Sequence, residues 1–289
     1  MALEKNFALC VGVEEFQMDA VAMAAVLRDP AVCGFPPDNV VLLTGQTATR
    51  DEVLKQLGEI RRKIIKVHLK QKCTFIFYFS GHGSGKGVDS LAVAGGGRLS
   101  RQDLQLELEA IRPIVMQLLS IYDCCFAEKN GAIHIKDVKA DSVTSHIQAQ
   151  LKQLSENLSG AGLAYLQWSS SRADEVSFGR ASGSVFTGFL IAGLKGGKEC
   201  ALNGKKCEIC NKFRQHCCIE NFVTTDLLKN FLVQHVKQYT EKFSNSLMHP
   251  NFAGISEEAF PLAIYKQVIT QNNIFGYRIY YLKRIHLAL

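Results

Sequence analysis

Two short stretches of the chain carry residues able to do chemistry. Phe-Tyr-Phe-Ser-Gly-His-Gly occupies 77–83, and Ile-Tyr-Asp-Cys-Cys-Phe-Ala occupies 121–127. Each is an apolar run that stops at a polar, reactive residue. A strand of this kind delivers its last side chains to the edge of a sheet, where open α/β sheets place their sites. The first stretch offers an imidazole, His82, and the second offers thiols, Cys124 and Cys125, so together they hold a nucleophile and a proton partner. A buried histidine and two core cysteines would be the bland alternative. Glycine on both sides of His82 and an acid directly before the cysteine pair favour the catalytic one. Side chains alternate along a strand, so Cys124 and Cys125 point to opposite sides and only one can meet a substrate.

The elements around these stretches alternate regularly. Phe7–Val13, Asn39–Leu43, Cys73–Ser80, Val115–Tyr122, Gly162–Trp168 and Ala259–Ile264 read as strands. Between them lie helical patterns over Asp19–Leu27, Thr49 to about Leu69, Ser100 onward, Val143–Leu158, Ser184–Leu194 and Thr225–Phe243. In the second of these, Thr49-x-x-Glu52 is a capping box, and Val53, Leu57, Ile60, Ile64 and Val67 form one face. Such alternation predicts a mainly parallel sheet with helices on both faces. The 289 residues are 47% hydrophobic and 21% charged, enough for a sizeable core. A net charge of +6 without an aromatic-interleaved basic patch does not indicate nucleic acid. No run is long and apolar enough to span a membrane, and nothing at the start reads as a signal peptide. Ten cysteines in that setting point to a reducing, cytoplasmic compartment.

These motifs resemble the caspase–metacaspase superfamily of cysteine peptidases, and metacaspases more than animal caspases. The resemblance runs from about Asn6 to Ile264. It is carried by Tyr-Phe-Ser-Gly-His-Gly and by Asp-Cys-Cys in the Asp-x-Cys position. Weaker matches follow in order at Asp19-Ala-Val-Ala-Met, Trp168-Ser-Ser-Ser-Arg-Ala-Asp-Glu175 and Gly183-Ser-Val-Phe-Thr187. It implies a caspase-like three-layer sandwich, a six-stranded, mostly parallel sheet flanked by helices. It also implies an endopeptidase domain over 1–265 acting on polypeptides, with no cofactor needed for the chemistry. In that family His82 and Cys125 would be the catalytic dyad, and the backbone N–H groups of Gly83 and Cys125 would hold the oxyanion. Asp19, Ser80 and Asp123 match the metacaspase pocket that takes Arg or Lys before the cut, although Asp19 also suits an ordinary helix N-terminus. Arg180 lies where animal caspases hold acidic substrates, leaving an Asp preference as the alternative. Phe126-Ala127-Glu128 replaces the usual His-Ser-Gly after the nucleophile, which keeps a catalytically weak scaffold or signalling module in view. The calcium-binding acidic cluster is not evident, Asp89 and Asp103 being scattered, so calcium dependence is not implied.

Three further segments stand apart. Cys200, Cys207-x-x-Cys210, His216, Cys217 and Cys218 form a Cys-rich loop insertion over 196–221. It reads either as a zinc hairpin, built on Cys207, Cys210 and Cys217, or as a loop rich in reduced thiols. The polar loop 128–141 carries Lys129, Lys136 and Lys139, targets for self-processing by a basic-specific enzyme or merely exposed lysines. The tail 266–289 lies beyond the resemblance.

Overall fold

The computed structural model describes residues 5–68, 73–84, 90–125, 164–172, 175, 177, 179–180, 183–197, 207–243, 247–256 and 259–265. The expected helix 143–158, the loop 128–141, the tail, Asp89, Phe126-Ala127-Glu128 and Cys200 lie outside these residues. Six strands make the main sheet: β1 (Phe7–Gly12), β2 (Val40–Thr44), β3 (Thr74–Ser80), β4 (Gln117–Asp123), β5 (Ala164–Ser169) and β6 (Asn251–Ser256). Their order is β6-β5-β4-β3-β1-β2. All neighbours are parallel except β6, which runs antiparallel to β5. Among the described residues six helices flank the sheet: α1 (Gln17–Arg28), α2 (Arg50–His68), α3 (Arg101–Ile111), α4 (Val185–Leu194), α5 (Glu208–Glu220) and α6 (Thr225–Phe243). The caspase-like α/β fold implied by the motifs is therefore the fold observed.

The central strands are continuous apolar runs because both of their faces are buried. On β3, Phe75, Phe77 and Phe79 face the α2–α3 layer, where they meet Leu57, Ile60, Leu104 and Leu108. Ile76 and Tyr78 face the opposite layer, built on Met23, Phe186, Phe189 and Phe231. The predicted face of α2 is the buried one, with Val53, Leu57, Ile60 and Ile64 at most 1% exposed. Its start is capped as expected on one side only. Thr49 Oγ1 accepts the Glu52 N–H at 3.3 Å, but the Glu52 carboxylate turns to Lys55 and Gln56. Ser100 caps α3 through the Asp103 N–H, and the Asp103 carboxylate bonds Ser100 Oγ and Arg50. Asp103 is thus a helix-cap residue tied to a cation.

Two expectations are corrected. The segment Ala259–Ile264 does not supply the last strand of the main sheet. Its strand, Pro261–Ile264, pairs with Phe222–Thr224 in a separate two-stranded ribbon, and β6 is the sixth strand of the main sheet. β6 is an edge strand with polar residues at both ends, so it shows none of the apolar continuity that marks β1, β3 and β4. The Cys-rich segment is likewise not all loop, since 208–220 is the helix α5. Ile209, Cys210, Phe213 and Cys217 recur at helical spacing, with Cys217 acting as a small hydrophobe, and the Phe213 ring lies 4.5 Å from that of Phe231 on α6. Among the described residues no helix is long and apolar enough to cross a membrane.

One close approach fixes the entry to the site. A Cβ on Gly12, the last residue of β1, would lie 2.7 Å from both the Gln17 backbone and the Ala20 Cβ. Only glycine lets α1 fold back so tightly under the sheet edge. Gly12→Ala should therefore displace α1 and cost about 1–3 kcal/mol, the usual size of an overpacking penalty. The measurement is the urea unfolding midpoint; an unchanged midpoint would contradict this packing.

Candidate active site

The site follows from register. Gly12 of β1 pairs with Ser80 of β3, and Ser80 pairs with Asp123 of β4. The ladder continues one step further, through Gly81 N–H to the Asp123 carbonyl at 3.1 Å and Val13 N–H to the Ser80 carbonyl at 3.0 Å. Two residues past this row stand Glu14, His82 and Cys125, issuing from neighbouring parallel strands about 4.8 Å apart at one sheet edge. The expected dyad thus leaves equivalent positions of adjacent central strands.

His82 is held on one nitrogen. Its Nε2 lies 3.2 Å from a carboxylate oxygen of Glu14 and 3.2 Å from one of Glu15, with the ring set edge-on to Phe16 at 5.2 Å. Glu14 sits at a φ of 55°, a conformation that costs a non-glycine residue about 1 kcal/mol or more. Sequence reasoning missed these two acids, because only the pairing of β1 with β3 puts them beside the histidine. With Nε2 committed to carboxylates, Nδ1 is the ring nitrogen left to exchange a proton with a thiol.

The adjacent cysteines part as alternation requires. Cys124 is 1% exposed and joins the core beneath β4 with Phe79 and Tyr122, whereas Cys125 is half-buried at the turn after the strand. Burial, reinforced by the Asp123 charge, pushes the Cys124 thiol well above its usual range. Burial likewise raises Cys10 to about 12 and Cys73 to about 11. The Cys124 carbonyl accepts from the hydroxyls of Ser170 and Ser171, just past β5, and this anchors the turn that presents Cys125. Those serines lie in the Trp168–Glu175 stretch, whose match carried no residue role. Further along it, burial acts to raise the Glu175 carboxyl, but hydrogen bonds from the His249 backbone and ring hold it below the usual range and tie this stretch to the chain entering β6.

Behind the row lie the three expected pocket residues. Asp19, in the first turn of α1, is 4% exposed and accepts from Ser80 Oγ and from the Ser184 N–H, each at 3.1 Å. Asp123 is 2% exposed. It accepts from Thr187 Oγ1 at 2.6 Å, the Thr187 N–H at 3.2 Å and Ser177 Oγ at 2.8 Å. Tyr78 bridges the group through a 2.5 Å contact with Thr187 Oγ1. The structure thus gathers Asp19, Ser80 and Asp123 with Tyr78, Ser177, Ser184 and Thr187, four partners the sequence did not reveal. Burial first, then the negative charges of Asp123 and Asp19, push the Tyr78 hydroxyl well above its ordinary range. Gly183, at a φ of 112°, closes over Asp19 so tightly that a Cβ there would lie 2.3 Å from the carboxylate. Arg180 belongs to the two-residue strand that pairs with Gly183–Ser184.

The proposed zinc ligands do not gather as expected. His216 is exposed and its Nδ1 turns to the Lys212 carbonyl. Cys217 lies two helical turns beyond Cys210, about 10 Å along the axis, inside the core. Cys207 and Cys210 instead meet His235 of α6.

A mostly parallel sheet that delivers a histidine and a cysteine from the carboxyl ends of adjacent central strands defines a caspase-like α/β domain. The chain matches the family described as the caspase domain over residues 6–245 and belongs to that family, one of cysteine peptidases. Among the similar solved structures are two that cover most of the chain. Caspase-1 from Spodoptera frugiperda is 13% identical with a TM-score of 0.52, covering 93% of this chain and 93% of that one. A protein from Geobacter sulfurreducens is 17% identical with a TM-score of 0.50, covering 86% of this chain and 93% of that one. At such identities the likeness speaks for the fold. No curated protein matches the chain by sequence.

The contrast within the cysteine pair is directly measurable. Brief treatment of native protein with iodoacetamide near neutral pH should modify Cys125 and spare Cys124, read by peptide mass spectrometry. Modification of Cys124 at a comparable rate would contradict the burial described.

Proposed function

We propose that the protein is a cysteine endopeptidase of metacaspase type, cleaving polypeptides after Arg or Lys. Cys125 is the nucleophile. His82 takes its proton through Nδ1 and later returns one to the leaving amine. Attack of the sulfur on the scissile carbonyl forms a C–S bond and an oxyanion, held by the backbone N–H groups of Gly83 and Cys125. The C–N bond then breaks with proton delivery from His82, and water hydrolyses the thioester to regenerate the thiol. Glu14 and Glu15 hold the imidazole by Nε2. As both carboxylates are largely exposed, their part is orientation more than binding energy.

One observation carries the specificity. Two carboxylates, Asp19 and Asp123, lie buried behind the nucleophile row, and the described partners of Asp123 are neutral hydroxyl and N–H donors. The charge of both is felt at Tyr78. A pocket of that sign in a low-dielectric setting attracts a guanidinium or ammonium group by charge-assisted hydrogen bonds and repels an acidic side chain. The same observation weighs against an Asp preference.

Purified protein should therefore release fluorophore from Arg- and Lys-terminated peptides, not from Asp-terminated ones, with or without calcium. Cys125→Ala should lower kcat by about a thousandfold or more. Cys124→Ala should retain measurable turnover. A folded wild type inert toward all three peptide classes would favour the scaffold reading, and cleavage after Asp would reverse the specificity.

Asp123→Asn keeps the shape and bonding capacity of the side chain but removes its charge. It should lower kcat/KM for Arg peptides by roughly 30-fold or more, the loss expected when one partner of a buried charge pair is neutralised. An unchanged value with an unchanged circular dichroism spectrum would remove Asp123 from the pocket.

A further inference from the structure

Away from the active site, three soft ligand atoms converge between α5 and α6. Cys207 Sγ, Cys210 Sγ and His235 Nε2 all lie within 4.8 Å of one another. Cys207 is the N-cap of α5, and Cys210 stands three residues on, so both thiols sit over the same first turn. His235 lies on α6, fully buried, and Cys210 is 1% exposed.

The distances fit a shared metal. Zinc bonds sulfur at about 2.3 Å and imidazole nitrogen at about 2.0–2.1 Å, and a tetrahedral angle then places S and N about 3.5 Å apart. The two S···Nε2 separations are 3.3 Å for Cys210 and 3.6 Å for Cys207. Hydrogen bonds to sulfur span a similar distance, so length alone does not decide. The tautomer does. His235 Nδ1 lies 3.1 Å from the Phe231 carbonyl, one turn earlier on α6. That carbonyl can only accept, so Nδ1 carries the proton and Nε2 presents a lone pair. One lone pair accepts one good hydrogen bond, yet two sulfurs converge on it. A cation satisfies all three atoms together, and a backbone carbonyl on the far nitrogen is the usual device for aiming a metal-binding histidine.

We propose that Cys207, Cys210 and His235 bind one zinc ion, with the fourth tetrahedral position taken by water or a further donor. The site differs from the one the sequence suggested, exchanging Cys217 for a histidine 25 residues beyond Cys210 on another helix. It pins the start of α5 to the middle of α6. The His235 ring also packs 5.1 Å from Phe189 of α4, so the metal tightens the helix layer whose α4 end bonds Asp123. A stapling role of this kind adds to a core already large enough to fold.

The test uses full-length protein carrying Cys125→Ser, so that the active-site thiol cannot bind metal. Elemental analysis should find about one zinc per chain. Cobalt titration of metal-free protein should give a thiolate-to-cobalt charge-transfer band and the intense visible bands of tetrahedral cobalt. Adding Cys207→Ser, which preserves a good N-cap residue, should abolish that sulfur band or halve its intensity and weaken zinc binding by about 100-fold. His235→Gln, which keeps both thiolates, should weaken zinc binding by a similar factor; if it does not fold, Cys207→Ser alone decides. Folded protein without stoichiometric metal or a charge-transfer band would overturn the proposal. So would metal binding indifferent to Cys207→Ser, or a Cys207–Cys210 disulfide in protein kept under reductant.

Discussion

Parallel register at one sheet edge is the constraint on which the rest depends. Gly12, Ser80 and Asp123 occupy one row across three adjacent strands. Because side chains repeat every two residues, that row and the next determine what faces the substrate. The first row holds Ser80 and Asp123, the residues of the proposed pocket; the second holds Glu14, His82 and Cys125, the residues of the proposed chemistry. A slip of one residue between β3 and β4 would turn Cys124 toward the site and bury Cys125. The register is held by burial on both faces. Phe75, Phe77 and Phe79 belong to one layer and Ile76 and Tyr78 to the other, so a one-residue slip would keep neither core intact.

The helices complete what the sheet begins. Gly12 lets α1 approach closely enough to bring Asp19 under Ser80, and the start of α4 brings Ser184 N–H to Asp19 and Thr187 to Asp123. Burying a carboxylate is costly unless it is hydrogen-bonded, and these bonds meet that need for Asp19 and Asp123. In the proposed function this acidic pair receives a cationic side chain of the substrate. The candidate nucleophile and the buried acids are held by different layers, the Cys124–Cys125 turn by Ser170 and Ser171 after β5 and the acids by α1 and α4.

What could be read in advance depended on how much of each signal was local. β1, β3 and β4 were legible because burial on both faces makes an unbroken apolar run, and His82 and Cys125 because they end such runs. β6 was not, since an edge strand beginning at Asn251 and ending at Ser256 carries no such run. α5 was obscured because Cys217 was weighed as a ligand when its helical spacing from Cys210 and Phe213 placed it in the core. Glu14, Glu15, Ser177 and Thr187 reach the site only through tertiary contacts, and no spacing announces them. His235 illustrates the same point. On its own helix it is one polar residue on an apolar face, and only the docking of α5 gives it partners.

The central claim is that Cys125, with a basic-accepting pocket behind it, attacks the substrate. It is tested most directly by covalent labelling with peptidyl ketone inhibitors that differ only in an Arg or an Asp before the reactive carbon. The account predicts rapid capture of the Arg probe, with the adduct mapped by mass spectrometry to Cys125, and little capture of the Asp probe. An adduct on Cys124, or faster labelling by the Asp probe, would contradict it.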